Sequence, residues 1–279
     1  MEKNIEKFIS YISQERNLSP LTVAIYKNDL LGLNSFSDGT PDKQKIREYL
    51  NSFKGNSPET RARKLSCFRS FFKFCVKEGI MASNPAEGVE MPKISHKEPQ
   101  FLSESEFKRL EACVDKWKSP NIVRNKAIVR LFLGSGIRVS ELAGLKKQDV
   151  NLEGGWIKVK RKGGKEQTIP ISEKTVSSLK EYLWVRGGSE TPNFFLSRTG
   201  KPLTPSSVYN MVRKSLERCG IVKGKMGCHL LRHTFCTQLM NKDVNLVVIQ
   251  ELAGHRNLET TRKYLHINSK DLREAVERV

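Results

Sequence analysis

The sequence of 279 residues lacks the marks of membrane-spanning, secreted and disulfide-rich proteins. No apolar run approaches the roughly 20 residues that a transmembrane helix requires. The N-terminal stretch MEKNIEKFIS contains no apolar core of a signal peptide, so we expect a cytosolic protein. None of the six cysteines forms a C-x-x-C pair, and their spacing predicts free thiols in a reducing compartment, not a disulfide framework.

Acidic residues are scarce relative to basic ones. The chain holds 30 Asp and Glu against 49 Lys and Arg, which gives a net charge of +19 and a pI of about 9.7. The first 98 residues hold 16 basic and 12 acidic residues, whereas the remaining 181 hold 33 and 18. A basic surface of this size favours a nucleic acid as partner, with an anionic membrane second. The membrane alternative is weak because no basic amphipathic helix shows a clear exposed aromatic face.

Common nucleotide and metal motifs are also missing. Neither G-x-x-x-x-G-K-[ST] nor G-x-G-x-x-G follows a strand-like run, which argues against a nucleotide-binding loop. His229 and His233 have the spacing of zinc ligands, but a zinc protease needs H-E-x-x-H, and Leu230 stands where the glutamate base belongs. We therefore expect no metal site.

Helix signals dominate the beginning of the chain. Apolar residues recur there at helical spacing, and Ser-Pro pairs at 19–20 and 57–58 match a preferred helix start, with serine as cap and proline in the first position. Three prolines then interrupt the pattern between positions 85 and 99. We predict a helical bundle at 1–90 and a linker at 91–100.

The remainder of the chain, 101–279, begins with a capping box from Ser103 to Glu106 and is again mostly helical. Two strand-like runs interrupt it at 156–159 and 168–171, and the sequence KRKGGKE between them predicts a hairpin tip. The predicted fold class is mainly α with a small β-hairpin or sheet, an α+β chain of two domains.

Six side chains in the second domain form a set suited to chemistry on a phosphodiester: Arg138, Lys162, His229, Arg232, His255 and Tyr264. Fixed cations stabilise the charge that develops on phosphate oxygens. A tyrosine hydroxyl supplies a covalent nucleophile, and a lysine or histidine can protonate the leaving sugar oxygen. Each residue alone has an ordinary alternative, such as a surface arginine, a charged turn or a core tyrosine. Only the combination favours phosphoryl transfer.

A second set of basic residues is predicted to contact DNA. It consists of residues in the fourth helical segment and one at the hairpin tip: Arg61, Arg63, Lys64, Arg69 and Lys165. A helix laid against a phosphate backbone would use such residues. A solvated helix face and a charged turn explain the same pattern equally well.

The catalytic set lies in stretches that resemble the tyrosine recombinases of the phage-integrase family. Residues 136–142, GIRVSEL, are similar to the first arginine motif of that family, and residues 229–235, HLLRHTF, to its H-x-x-R motif. Residues 253–255, AGH, and Tyr264 match the last two positions in order, and Lys162 matches the lysine of the family's β-hairpin. The helical first domain is similar to the family's core-binding domain, and the overall size is most like the Xer branch.

The resemblance implies an enzyme that cleaves and rejoins DNA. Tyr264 would attack the scissile phosphate and form a 3′-phosphotyrosine, while Arg138 and Arg232 hold the non-bridging oxygens. The 5′-hydroxyl of a partner strand would then reverse the reaction. Because the bond energy is kept in the covalent link, the resemblance implies that no ATP, metal or cofactor is needed.

The resemblance also implies the proton transfers. Lys162 would protonate the leaving 5′-oxygen, His229 would assist proton transfer at the tyrosine, and His255 would hydrogen-bond the phosphate. The hairpin departs from the family pattern, since Arg161 stands where a glycine is frequent. This departure leaves Lys165 as an alternative to Lys162.

The partners implied are double-stranded DNA and further copies of the chain. A homotetramer would assemble on two DNA sites, with the tail at 268–279 docked on a neighbouring protomer or, alternatively, on its own domain. The expected role is Xer-like resolution of chromosome or plasmid dimers, and hence chromosome partition in the cell cycle. The alternatives are a phage or mobile-element integrase-excisionase, a type IB-like topoisomerase, and a DNA-binding protein that no longer cleaves. The lack of an extra N-terminal arm-binding domain favours the Xer role.

Overall fold

The computed structural model describes residues 1–52, 57–94, 99–116, 120–161, 164–224 and 226–254. The chain divides into two compact units, Met1–Lys97 and Glu98–Val279. Each unit has its own hydrophobic core. Within the described ranges, no helix is both long and apolar enough to cross a membrane.

The first unit is a helical bundle with the elements α1 (Glu2–Gln14), α2 (Pro20–Phe36), α3 (Lys43–Ser52) and α4 (Pro58–Lys77). Both predicted Ser-Pro starts are confirmed, because the Ser19 side chain accepts the Thr22 backbone N–H and the Ser57 side chain accepts that of Thr60. The apolar faces of the helices meet in one core that is rich in phenylalanine.

In its described residues, the second unit is mostly helical and contains one small sheet. Its helices are α5 (Glu104–Asp115), α6 (Pro120–Ser135), α7 (Val139–Gly144), α8 (Glu173–Arg186), α9 (Pro205–Arg218), α10 (Cys228–Met240) and α11 (Leu246–Ala253). Its strands are β1 (Val150–Asn151), β2 (Trp156–Lys160) and β3 (Glu166–Pro170). They pair antiparallel in the order β1-β2-β3, with Trp156 opposite Pro170 and Lys160 opposite Glu166. The predicted fold class is confirmed.

Helix α6 positions the residues that follow it. It packs against α8 and α10, and Ile128, Leu131 and Phe132 are fully buried in the core. The chain leaves α6 through Gly136, whose φ of +59° is a conformation that favours glycine. This tight break places Arg138 directly before the first residue of α7.

The prediction that all six cysteines are free thiols is wrong for two of them. Cys113 on α5 and Cys219, which caps the end of α9, form a disulfide with a Cα–Cα distance of 5.8 Å. They are 106 positions apart in sequence, so spacing gave no signal, and only the packing of the helices brings them within bonding range. The remaining four cysteines are buried: Cys67, Cys75, Cys228 and Cys236.

Candidate active site

The C-terminal end of α11 is the place where the predicted arginines converge. The last carbonyl groups of a helix have no partners within the helix and carry the negative end of its dipole. Here the carbonyls of Glu251, Leu252, Ala253 and Gly254 accept hydrogen bonds from the side chains of Gln167, Arg161, Arg232 and Arg138, respectively. One helix end therefore gathers three guanidinium groups.

Arg138 is held in place by Glu141, three residues later in the chain. One terminal nitrogen of Arg138 donates to Glu141 Oε1 at 2.7 Å, and the Arg138 backbone N–H donates to Oε2 at 2.8 Å. The other terminal nitrogen donates to the Gly254 carbonyl at 2.6 Å. The side chain of Arg138 is 32% exposed and that of Glu141 only 4%. The guanidinium is thus fixed by a buried carboxylate and still reaches solvent.

Arg232 lies on α10 and is buried. Its two terminal nitrogens donate to the carbonyls of Gly136 and Ala253. Burial, followed by the charge of Arg138, lowers the pKa of Arg232 to about 10. The group stays protonated at neutral pH, and the two carbonyls that hold it carry no full counter-charge. An oxyanion bound beside it would supply the missing counter-charge.

His229 lies one turn before Arg232 on α10, so the two side chains share a helix face. The imidazole is at the surface, yet its pKa is lowered from the ordinary 6.5, first because neighbouring protein displaces water and then because of Arg232 and Arg138. A neutral imidazole can accept a proton. Its ring centre lies 6.3 Å from that of His233. The described part of the chain shows no group of three or more His, Cys, Asp or Glu residues placed to hold a metal ion.

Arg161 follows β2 and has a side chain that is only 8% exposed. Its Nε donates to Gln167 Oε1 at 2.8 Å, and one terminal nitrogen lies 3.0 Å from both oxygens of Glu141. The other terminal nitrogen donates to the Leu252 carbonyl at 2.9 Å. Gln167 in turn donates to the Glu251 carbonyl at 2.8 Å. The hairpin is therefore tied both to α7 and to the end of α11.

Part of the predicted site lies outside the described residues. This applies to Lys162, His255 and Tyr264 and to the tail at 268–279. Their predicted roles stay predictions.

The sequence nevertheless connects two of these residues to the arginine cluster. Lys162 follows Arg161 directly, and His255 follows Gly254 directly. Lys165, the alternative lysine of the hairpin tip, is exposed, and its carbonyl accepts the Arg161 backbone N–H at 2.7 Å. The predicted DNA contact of Lys165 is not tested by this arrangement.

The basic residues predicted to contact DNA from α4 make contacts inside the first unit. Arg63 and Lys64 both pair with Asp29, whose side chain is 7% exposed, and Lys64 does so at 2.9 Å. Arg69 donates to three main-chain carbonyls in the segment after α4. Arg61 is half-buried, whereas Arg63 keeps 41% of its side chain exposed. The role of these four residues in binding DNA stays a prediction.

Sequence reasoning missed Glu141 and gave Arg161 no function. Glu141 had a usable signal, because an acid three residues after a basic residue lies on the same face of a helix. Arg161 had none, since its partners Glu141 and Leu252 are 20 and 91 positions away. Only the tertiary structure reveals that these groups meet.

Gly136→Ala is expected to lower the free energy of unfolding by about 1–3 kcal/mol. The new Cβ would come within 2.8 Å of Cε1 of Phe235, on a backbone whose φ of +59° disfavours alanine. Relief of this clash would also move the carbonyl that holds Arg232. Urea denaturation measures the loss. Gly144→Ala is the matched control, because nothing lies within 4 Å of its added Cβ. Equal stability of the two variants would contradict the prediction.

Comparison with known proteins gives matches along both units. Residues 100–271 match the phage integrase family, and residues 5–79 match the phage integrase N-terminal SAM-like domain. The tyrosine recombinase XerC of Thermodesulfovibrio yellowstonii is 39% identical over 290 residues, covering 98% of this chain and 95% of the relative.

Solved structures show the same architecture. The crystal structure of the XerH site-specific recombinase bound to palindromic difH substrate has a TM-score of 0.77 at 26% identity, covering 98% of this chain and 83% of that chain. A structure of the Tn1549 transposon integrase with a circular intermediate DNA has a TM-score of 0.81, covering 99% of both chains. At 19% identity, this second likeness shows a shared fold alone.

Proposed function

This chain belongs to the phage integrase family, in its Xer branch of tyrosine recombinases, and we propose that it resolves chromosome or plasmid dimers. It is a site-specific recombinase that binds double-stranded DNA and cleaves and rejoins it. Dimer resolution would make it part of chromosome partition during the cell cycle, and we place its activity in the cytoplasm. Integration or excision of a mobile element is the alternative role.

The gathering of Arg138 and Arg232 at the end of α11 carries the catalytic proposal. Their guanidiniums bind the adjacent carbonyls of Gly254 and Ala253, so both are fixed next to one another before any substrate arrives. A phosphodiester in its transition state spreads negative charge over the non-bridging oxygens, and cations already in place stabilise that charge most. We assign the two guanidiniums to those oxygens.

We assign the covalent step to Tyr264, on the match of the sequence to the family motifs. Its hydroxyl oxygen bonds to phosphorus while the bond from phosphorus to the 5′-oxygen breaks, which gives a 3′-phosphotyrosine and a free 5′-hydroxyl. Lys162 donates the proton to the leaving 5′-oxygen, and His255 hydrogen-bonds the phosphate. A 5′-hydroxyl from a partner strand then reverses these steps without ATP.

As the pH is lowered, cleavage is expected to keep its rate past 6.5, the ordinary pKa of histidine, and to fall only at lower pH. We assign His229 as the acceptor of the Tyr264 proton, which requires a neutral imidazole. Loss of water around the ring and the charges of Arg232 and Arg138 lower its pKa. A lowered pKa keeps the imidazole neutral to lower pH, so the acid limb of the rate profile lies below 6.5. Single-turnover cleavage of wild type and His229→Gln measures it. An acid limb above 6.5, or an unchanged limb in His229→Gln, would contradict the assignment.

We propose that the chain acts on DNA as a homotetramer that holds two target sites. The bundle at 1–90 would clamp the DNA, a linker at 91–100 would follow it, and 101–279 would form the catalytic domain. The tail at 268–279 has apolar residues at helical spacing, and it would dock on a neighbouring protomer to couple activation around the ring.

The affinity for DNA is expected to fall steeply with salt. Each phosphate that the protein neutralises contributes about −0.9 to the slope of log affinity against log salt, so several contacts give a slope of about −5 or steeper. Fluorescence anisotropy with a labelled duplex measures it. Lys165→Ala should make the slope shallower by about 0.9, the contribution of one phosphate contact. A flat response in the wild type would rule out the large electrostatic interface.

A plasmid assay tests the proposed role. The target site is first selected from random DNA by binding. Supercoiled plasmids carrying one copy or two directly repeated copies of that site are then incubated with the protein. We expect the two-copy plasmid to yield two smaller circles and the one-copy plasmid to stay intact in size.

Each other outcome points to one alternative. Relaxed circles of full size from both plasmids would indicate a topoisomerase. Recombination that requires two unlike sites would indicate an integrase-excisionase. Binding without cleavage of any plasmid would indicate a DNA-binding protein that has lost its chemistry.

A further inference from the structure

Arg161 has a place in the site that the sequence motifs do not assign to it. We infer that Arg161 is a positioning residue that neutralises Glu141 and so keeps the charge of Arg138 available to the scissile phosphate. The inference rests on the proposed anion site of Arg138 and Arg232.

The hydrogen bonds of Arg161 show that it acts through other groups. Its Nε donates to Gln167, and one terminal nitrogen donates to both oxygens of Glu141. The other terminal nitrogen donates to the Leu252 carbonyl. The side chain is 8% exposed, whereas that of Arg138 is 32% exposed. Arg161 is therefore directed at protein groups, and Arg138 is the more accessible cation of the pair.

The charge on Glu141 explains why the site needs a second cation. Its carboxylate is buried and contacts both Arg138 and Arg161. With Arg138 as its only partner, the carboxylate would cancel the field of that guanidinium, and attraction between such close groups is strong away from water. With Arg161 present, the two guanidiniums and the carboxylate together keep one net positive charge. Arg138 presents this charge to solvent, because it is the most exposed of the three side chains.

The packing of Arg161 against Gly254 joins two parts of the site. A Cβ added to Gly254 would come within 2.7 Å of Cζ and Nε of Arg161, so only glycine allows this approach. Gly254 also has a φ of +61°, which favours glycine independently. The Arg161 side chain thus lies against the backbone just before His255, while its own backbone leads directly to Lys162.

Three variants test the inference by single-turnover cleavage of the target site. Arg161→Met keeps the apolar length of the side chain but removes its charge, and we expect cleavage to slow about tenfold or more, within the range of coupling between contacting charged groups. Arg161→Lys keeps the charge but lacks the planar guanidinium, so its cleavage rate should lie between those of the wild type and Arg161→Met. In the double variant Arg161→Met/Glu141→Gln, the carboxylate that would neutralise Arg138 is gone, so we expect faster cleavage than in Arg161→Met alone.

Arg186→Met is the matched control for the loss of a structural arginine. Arg186 belongs to the same unit and donates to the carbonyls of Thr191, Asn193 and Phe194. We expect a lower melting temperature with an unchanged cleavage rate for the folded protein. This result would separate a loss of stability from a loss of charge at the site.

Binding of tungstate measures the affinity of the same anion site for an oxyanion and does not depend on cleavage by the tyrosine. This tetrahedral oxyanion should raise the melting temperature of the wild type, because a ligand that binds only the folded state stabilises it. The shift should be smaller for Arg161→Met, recovered in the double variant, and absent in Arg138→Gln.

Two results would overturn the role of Arg161. One is an Arg161→Met variant that cleaves DNA and binds tungstate as the wild type does. The other is a double variant no better than Arg161→Met in both assays. If the wild type itself forms no covalent adduct with DNA, the proposed chemistry fails, and the tungstate series still decides whether Arg161 supports Arg138.

Discussion

Replacement of Arg232 by glutamine is expected to slow DNA cleavage by about two to three orders of magnitude, the usual effect of removing a pre-placed donor to a developing oxyanion. Arg232 is fixed by the carbonyls of Gly136 and Ala253, which carry no full counter-charge, and burial is the first cause of its lowered pKa. The scissile phosphate supplies that counter-charge. Glutamine can keep a hydrogen bond but brings no charge, so the transition state loses more stabilisation than the bound substrate does.

Single-turnover cleavage and DNA affinity, measured together, test this prediction. Affinity should change little, because one phosphate contact of several is lost. Arg124→Gln is the matched control, since Arg124 is a partly buried arginine of the same unit that donates to the Leu196 carbonyl. Cleavage by Arg232→Gln within a few-fold of the wild type would remove Arg232 from the proposed chemistry. An equal loss in Arg124→Gln would trace the effect to general destabilisation.

Replacement of Tyr264 by phenylalanine is expected to abolish the covalent protein–DNA adduct while leaving DNA binding intact. The change removes a single oxygen, the atom that is proposed to bond to phosphorus, and no other group in the set can form a 3′-phosphotyrosine. A denaturing gel of protein mixed with nicked target DNA measures the adduct, because a nick near the cleavage site traps the intermediate.

The exposed Tyr209 on α9 offers a control of the same chemistry. Tyr209→Phe should form the adduct as the wild type does. An adduct that survives in Tyr264→Phe would refute the assignment of the nucleophile outright. Loss of DNA binding in Tyr264→Phe would instead show that the hydroxyl contributes to binding, so that loss of the adduct could not be assigned to chemistry.

Local signals in the sequence predicted several helix starts and the two strands of the hairpin. The Ser-Pro starts at 19–20 and 57–58 and the capping box of Ser103 and Glu106 each act within four residues, and the structure confirms all of them. The two strand-like runs likewise form β2 and β3 in antiparallel register. Helix starts and hairpins depend on residues that are close together in the chain, so they can be recognised from the sequence alone.

Contacts between distant segments could not be predicted in this way. The Cys113–Cys219 disulfide joins residues 106 positions apart. Lys64 turns inward because Asp29, on another helix of the same unit, is its partner. In both cases the deciding neighbour comes from a different element, so the pattern of a single helix held no information about it.

For the candidate site, the motifs predicted a set of side chains but not how they meet. The motifs identified Arg138, His229 and Arg232 without showing that the end of α11 gathers the two guanidiniums. The part played by Arg161 was hidden for the same reason, since its contacts with Glu141 and Leu252 depend on tertiary packing. A residue that departs from the family pattern proved to be one of the most closely bound side chains of the site.

The most direct test of the proposed mechanism is to identify the amino acid that becomes joined to DNA. Wild-type protein is incubated with nicked target DNA in the presence of EDTA, the adduct is digested with protease, and the peptide carrying the nucleotide is sequenced by mass spectrometry. We expect a 3′-phosphate linked to Tyr264, formed as readily with EDTA as without it. A link to any other residue, or an adduct that forms only when a metal ion is supplied, would contradict it.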